Sequence, residues 1–220
     1  MAKKHITKLY PRDVKAFLAL GRCGYVSEDN LREFLRDKRI RGYQKDGLIE
    51  KHFYSRPGSK ENDRVCYKLT GKGRSLCRNQ LSMPHLYSAR SPGHDLALAE
   101  RYFSLSPESR ESWRTEGELR DSFREHIRQL EDRGEQERAQ ELLDKLQEGA
   151  VSMPDASYTS EGGIEIAYEV VTNNYGKAEI EAKEVASEEL GLELLGLAES
   201  PIKGREMGNI EYLSYWRKPQ

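Results

Sequence analysis

Met153-Pro154-Asp155-Ala156-Ser157-Tyr158-Thr159-Ser160-Glu161-Gly162-Gly163-Ile164-Glu165-Ile166-Ala167-Tyr168-Glu169-Val170-Val171 reads as two adjacent strands joined by a turn at Glu161-Gly162-Gly163. A helical segment, Lys177 to Leu190, follows it. In the second strand, alternation puts Glu165, Ala167, Glu169 and Val171 on one face. A Glu at the end of an apolar strand is costly to bury unless something pairs with it or binds there. Asp155 falls on the neighbouring strand. Two acids so placed can share a divalent cation, because hard cations take oxygen ligands at short range. The plainer alternative is a hairpin whose acids are solvated or pair with Lys177 or Lys183.

Upstream, Thr115-Glu116-Gly117-Glu118 starts a helix with Leu119, Phe123, Ile127 and Leu130 at helical spacing. Gly134 interrupts the pattern, and Ala139, Leu142, Leu143 and Leu146 resume it, as one long helix or as a hairpin. Downstream, Leu192 to Leu197 and the alternating Ile210 to Trp216 read as strands. Helix, strands, helix, strand, with Pro-Asp and a later Glu, resembles the PD-(D/E)xK nuclease core. The resemblance implies Asp155 and Glu169 as catalytic acids holding Mg²⁺. The motif's lysine should stand two positions after the second acid, where this chain has Val171. Some members of that superfamily carry the lysine on the following helix, which directs its role to Lys177 or Lys183. Glu118 lies where such cores often supply an extra acid.

Charge is distributed unevenly. The 220 residues carry a net charge of −1, yet residues 1–82 hold about 20 Lys/Arg against about 9 Asp/Glu, roughly +11, leaving roughly −12 for the rest. A basic module joined to an acidic one implies that the first half attracts polyanions. Cys23, Cys66 and Cys77 form no CxxC and no zinc spacing, which fits a reducing compartment. Met1-Ala2-Lys3-Lys4-His5 leads into no apolar stretch, and no apolar run of membrane-spanning length occurs. The expectation is a cytoplasmic protein, neither secreted nor membrane-bound.

The basic half has its own grammar. Pro11-Arg12-Asp13 opens a helix with Val14, Phe17, Leu18 and Leu20 on its apolar face. Ser27 caps a second helix that buries Leu31, Phe34 and Leu35. A short basic third helix ends at Gly47; strands at Leu48 to Tyr54 and Val65 to Leu69 flank a polar turn, and Thr70 caps a helix through Leu81. Three helices and a hairpin describe a winged helix-turn-helix over residues 1–82. The third helix offers Lys38, Arg39, Arg41, Tyr43, Gln44 and Lys45 to bases and phosphates. The wing offers Arg56, Lys60 and Arg64 to phosphates or the minor groove. The alternative is a winged helix making protein contacts only. Tyr25, Leu48, Phe53 and Tyr67 are expected in the core.

Residues 83–114 read as a linker and a docking helix, with Leu96, Ala99 and Phe103 seated between modules, then a loop anchored by Trp113. His94 beside Asp95 has no second His nearby in sequence, so a structural role at the helix start is expected. Residues 115–220 form the nuclease-like domain. The fold class is α+β, an N-terminal winged helix-turn-helix with a C-terminal restriction-endonuclease-like α/β domain.

Several ordered stretches carry a further likeness. They are Tyr10-Pro11-Arg12-Asp13-Val14, Asp46-Gly47-Leu48-Ile49-Glu50, Tyr67-Lys68-Leu69-Thr70-Gly71-Lys72-Gly73-Arg74 and Gly93-His94-Asp95-Leu96-Ala97-Leu98-Ala99-Glu100. With Pro154-Asp155-Ala156 and Ile166-Ala167-Tyr168-Glu169, they resemble the replication-relaxation family of plasmids and other mobile elements, from about Tyr10 to about Lys183. The likeness implies a DNA-binding protein of replication or transfer with a nuclease-fold second domain. Three functions follow as expectations: sequence-specific binding of double-stranded DNA, Mg²⁺-dependent DNA cleavage, and a phage or plasmid regulator or counter-defence factor whose acidic domain binds a protein. A homodimer suits the first, since winged helices often read two-fold sites.

Overall fold

The computed structural model describes residues 5, 7–55, 64–88, 91–171 and 175–198. The chain divides into two compact units, Met1–Leu105 and Ser106–Gln220. Both mix helices with strands, so the fold class is α+β.

In the first unit, α1 (Pro11–Cys23) begins where proline suits the first turn and Asp13 Oδ2 accepts from the Tyr10 N–H at 2.7 Å. It ends at Gly24, whose φ of +83° disfavours other residues. A two-residue strand β1 (Val26–Ser27) comes next, too short to carry a periodicity and so not expected from sequence. Ser27 Oγ then accepts from the Asn30 N–H and caps α2 (Glu28–Arg32). After α3 (Asp37–Lys45), β2 (Ile49–Tyr54) and β3 (Arg64–Leu69) pair antiparallel, and β1 adds to the other edge of β3. Thr70 Oγ1 caps α4 (Gly71–Gln80) by accepting from the Gly73 N–H. Phe17, Leu20, Leu31, Ile40, Tyr43, Ile49 and Tyr67 are buried, with the Phe17 and Tyr43 rings edge-on at 4.9 Å.

Two expectations change here. The helix α5 (Pro92–Ser104), expected to dock between modules, belongs to the first unit. Leu96 packs with Tyr25 and Cys66, and Phe103 lies 5.5 Å from Phe34. Its apolar face thus closes over α1, β1 and α2. Phe53, expected in the core, is 64% exposed. It stands opposite Val65 on the edge strand β2, one pair before the Tyr54–Arg64 pair that ends the ladder, and the Lys51 ammonium lies 4.9 Å from its ring. Tyr25, Leu48 and Tyr67 are buried as expected. Cys23, Cys66 and Cys77 are buried thiols outside any disulfide. Burial pushes Cys77 up to about 12, so it packs as a small apolar group.

In the second unit, a short α6 (Pro107–Glu111) replaces the expected loop, and β4 (Arg114–Thr115) leads into α7 (Glu116–Asp132). Trp113 is buried and stacks on Tyr158 at 6.0 Å. The pattern broken at Gly134 resolves into a hairpin of α7 and α8 (Gln136–Glu148), with Gly134 at φ +83°. Leu119, Phe123, Ile127 and Leu130 pack with Ala139, Leu142, Met153, Ala167 and Ala186. Burying each large side chain there stabilises by roughly 2 kcal/mol. Then come β5 (Ala156–Thr159), β6 (Glu165–Val171), α9 (Lys177–Glu189) and β7 (Glu193–Ala198). The sheet order is β4-β5-β6-β7: the first two pairings are antiparallel, and β6 and β7 are parallel because α9 carries the chain across. From Ala167 onward β6 is buried on both faces, which is why Glu169 ends deep in the unit. The strand expected at 210–216 lies outside the described residues. No helix among the described residues is long and apolar enough to cross a membrane.

Candidate functional site

The first candidate grows from α3. Its buried residues Ile40 and Tyr43 turn toward α1 and the sheet, leaving Lys38, Arg41 and Lys45 exposed and Gln44 half-buried. Tyr43, expected to touch DNA, is instead a core residue: it lies three positions after Ile40 and shares its inward face.

Arg39 is also redirected. Its guanidinium grips the buried Asp13 carboxylate with two hydrogen bonds, Nε to Oδ1 at 3.0 Å and Nη2 to Oδ2 at 2.6 Å, and donates to the Lys8 carbonyl. The rings of Tyr10 and Tyr43 each lie 5.4 Å from it. Burial alone would raise the Asp13 carboxyl, but the Arg39 hydrogen bonds and the Tyr10 amide outweigh it and hold that carboxyl below its usual range. Arg39 therefore straps the segment before α1 onto α3.

That strap builds one wall of a cleft of about 610 Å³, lined by His5, Arg12, Arg36, Lys38, Arg39, Arg41, Gly42 and Lys45. Six guanidinium and ammonium groups face one concavity, a field suited to a polyanion. Arg12, Arg36 and His5 were not picked out from the sequence. Arg12 and Arg36 flank the starts of two different helices, and only the strap brings them together. On the hairpin, Arg64 is exposed and pairs with Glu100 at 3.0 Å. Arg56 and Lys60 lie outside the described residues.

The second candidate is the acid pair. Asp155 and Glu169 are 2% and 1% exposed, and each carboxylate accepts a backbone N–H from the other's segment. Asp155 N–H donates to Glu169 Oε2 at 2.8 Å, and Val170 N–H donates to Asp155 Oδ2 at 3.0 Å. Lys183 on α9 meets them: its Nζ lies 3.2 Å from Glu169 Oε1 and donates to the Met153 carbonyl at 2.6 Å. The Tyr175 hydroxyl also donates to Glu169 Oε1, at 2.5 Å. Tyr175 carried no signal of this role in the sequence; it stands two residues before α9.

Lys177 does not join them. It is 88% exposed and pairs with Glu181 on its own helix. Glu118 is committed to capping α7, where its Oε2 accepts from the Thr115 N–H at 2.7 Å. Burial pushes the Glu169 carboxyl up to about 7, the neighbouring Asp155 charge adds to that, and Lys183 and Tyr175 offset part of it.

Two carboxylates offer the oxygen donors a hard cation prefers. Here, however, Glu169 Oε1 is already taken by a hydroxyl and an ammonium, and Mg²⁺ keeps several waters. Lys183 supplies the neutralising charge. The arrangement does not fit a hydrated Mg²⁺. Among the described residues, no group of three or more His, Cys, Asp or Glu side chains is placed to hold a metal.

His94, on the first turn of α5, is buried with Nδ1 3.2 Å from Asp95 Oδ1 and 3.2 Å from the Tyr87 hydroxyl, a packing role at the helix start. No family model matches the chain, and no curated protein matches it.

Proposed function

We propose that this chain is a sequence-specific double-stranded DNA-binding protein of a mobile element, acting in replication or transfer, whose first unit is a winged helix-turn-helix. One observation carries the reading: six basic side chains, from α3, the residue that precedes it and the start of α1, converge on a single cleft beside an exposed basic helix face. The order α1, β1, α2, α3, β2, β3 with the sheet order β1-β3-β2 supports it, because that arrangement leaves the third helix presented. A homodimer on a two-fold site goes with this reading.

The second unit we read as a restriction-endonuclease-like scaffold that does not cleave. Its acid pair holds the starts of β5 and α9 against β6 through Lys183 and Tyr175, and its acidic surface suits a basic protein partner.

The test is fluorescence anisotropy with labelled duplex between about 50 and 200 mM salt, where neutralising about four phosphates gives a log–log slope near −3.6. No binding at the low-salt end sinks the reading. Incubating the same complex with Mg²⁺ or Mn²⁺ is expected to leave the duplex intact. Nicking that Asp155→Ala abolishes would replace the scaffold with a metal-dependent endonuclease.

A further inference from the structure

On α3, residues advance about 100° each around the axis. Tyr43 and Ile40 face inward and Arg39 turns to Asp13, which together define the protein side of the helix. Opposite that side lies a ridge of Lys38, Arg41 and Lys45, spaced three and four residues apart and all exposed. Gln44 falls to one flank of the ridge and is half-buried. The ridge side chains line the cleft together with Arg12, Arg36 and Arg39. Asp37, the one acid on α3, is drawn away by Arg32, whose Nε lies 2.9 Å from Asp37 Oδ1. The helix therefore presents cations outward, and its only carboxylate is already partnered by a neighbouring arginine.

We infer that Arg41, at the middle of this ridge, is the specificity residue of the DNA-binding site and reads a guanine in the major groove, while Arg12 and Arg36, which line the same cleft from outside α3, hold the adjoining phosphate backbone. This rests on the DNA-binding reading above. The physical basis is the match between donor geometry and base edges. A guanidinium fork pairs two N–H donors with guanine O6 and N7, and arginine to guanine is the commonest specific contact. The ridge from Lys38 to Lys45 rises about 10 Å, at about 1.5 Å per residue, close to three base-pair steps. Arg41 thus addresses the centre of a short G·C-containing element, with Lys38 and Lys45 one step or more to either side. Arg12, on α1, and Arg36, before α3, are off the ridge; their part is to meet phosphates, which carry no sequence information.

The experiment selects from a randomised duplex library with the full chain, then compares wild type, Arg41→Lys and Arg12→Ala on the selected duplex and on one with its central G·C pair replaced. Arg41→Lys keeps the charge and removes the fork. Wild type should prefer the selected duplex by about 10-fold to 100-fold, the worth of a good bidentate contact. Arg41→Lys should bring that ratio close to one while changing affinity for the altered duplex less than about threefold, since the phosphate contacts persist. Arg12→Ala should weaken both duplexes alike and flatten the salt slope by about one unit. Arg41→Lys retaining the wild-type ratio overturns the inference, as does a selected element without a G·C pair at its centre. Wild type that binds duplexes tightly but without preference overturns the inference and leaves the DNA-binding reading standing; wild type that binds no duplex at low salt removes both.

Discussion

Replacing Glu169 by glutamine should make the second unit increasingly more stable than wild type as pH rises, and the acid pair fixes the size of the effect. The Glu169 carboxyl is raised from its ordinary 4.5 to about 7, so the folded unit disfavours its ionised form. A group raised in this way contributes stability fully below its unfolded value and loses that contribution as pH climbs through the folded value. Here the window runs from about pH 4.5 to somewhat above pH 7. A shift of that size corresponds to about 3 kcal/mol at most. The groups facing the carboxyl from each side are Asp155 just before β5, Tyr175 before α9 and Lys183 on α9. A glutamine side chain at this position would keep an acceptor for the Asp155 amide and would carry no charge at any pH. Glu169→Gln and wild type should therefore be nearly equal near pH 5, with the variant gaining on wild type by up to about 3 kcal/mol near pH 8. Urea unfolding followed by tryptophan fluorescence reads this out, because Trp113 and Trp216 both fall within the span of the second unit. A difference between the two proteins that stays flat with pH, or that favours wild type at alkaline pH, would refute the claim that burial and Asp155 outweigh Lys183.

Arg39→Ala should leave Asp13 buried without its guanidinium partner, costing about 3 to 5 kcal/mol. Because Asp13 is held below its usual range, that stabilisation is present above about pH 4 and fades as pH falls through the folded value. Hydrogen exchange on the full chain should show α1 and α3 amides losing protection at neutral pH; unchanged protection would mean the strap is idle. Gly24→Ala should cost more than Gly149→Ala although both glycines have positive φ. At Gly24 the added Cβ would sit 2.4 Å from Asp95 Oδ2, whereas nothing lies within 4 Å at Gly149, so the second change carries only the left-handed backbone penalty of about 1 kcal/mol. Equal losses of protection around the two sites would show that the space beneath Gly24 is not the constraint.

Local chemistry made much of the chain readable as sequence. Ser27, Thr70 and Thr115 cap helices because each side-chain oxygen meets an amide three residues on. The apolar spacing of Leu119, Phe123, Ile127 and Leu130 needs only the helical period to become a buried stripe. The convergence of a Pro-Asp acid with a later strand Glu was also legible, since strand pairing brings neighbours in a hairpin together. What sequence alone could not decide is phase. Arg39 and Tyr43 sit on the same basic helix as Arg41, and only the packing of α3 against α1 sends Tyr43 into the core and Arg39 to a carboxylate 26 residues away. Lys177 and Lys183 lie on one helix about 120° apart around its axis. A periodic pattern leaves open which of them meets the sheet. The side of α9 that buries Ala182 and Ala186 carries Lys183 inward to Glu169 and leaves Lys177 in water, because a charge enters a core only where another charge is already waiting for it.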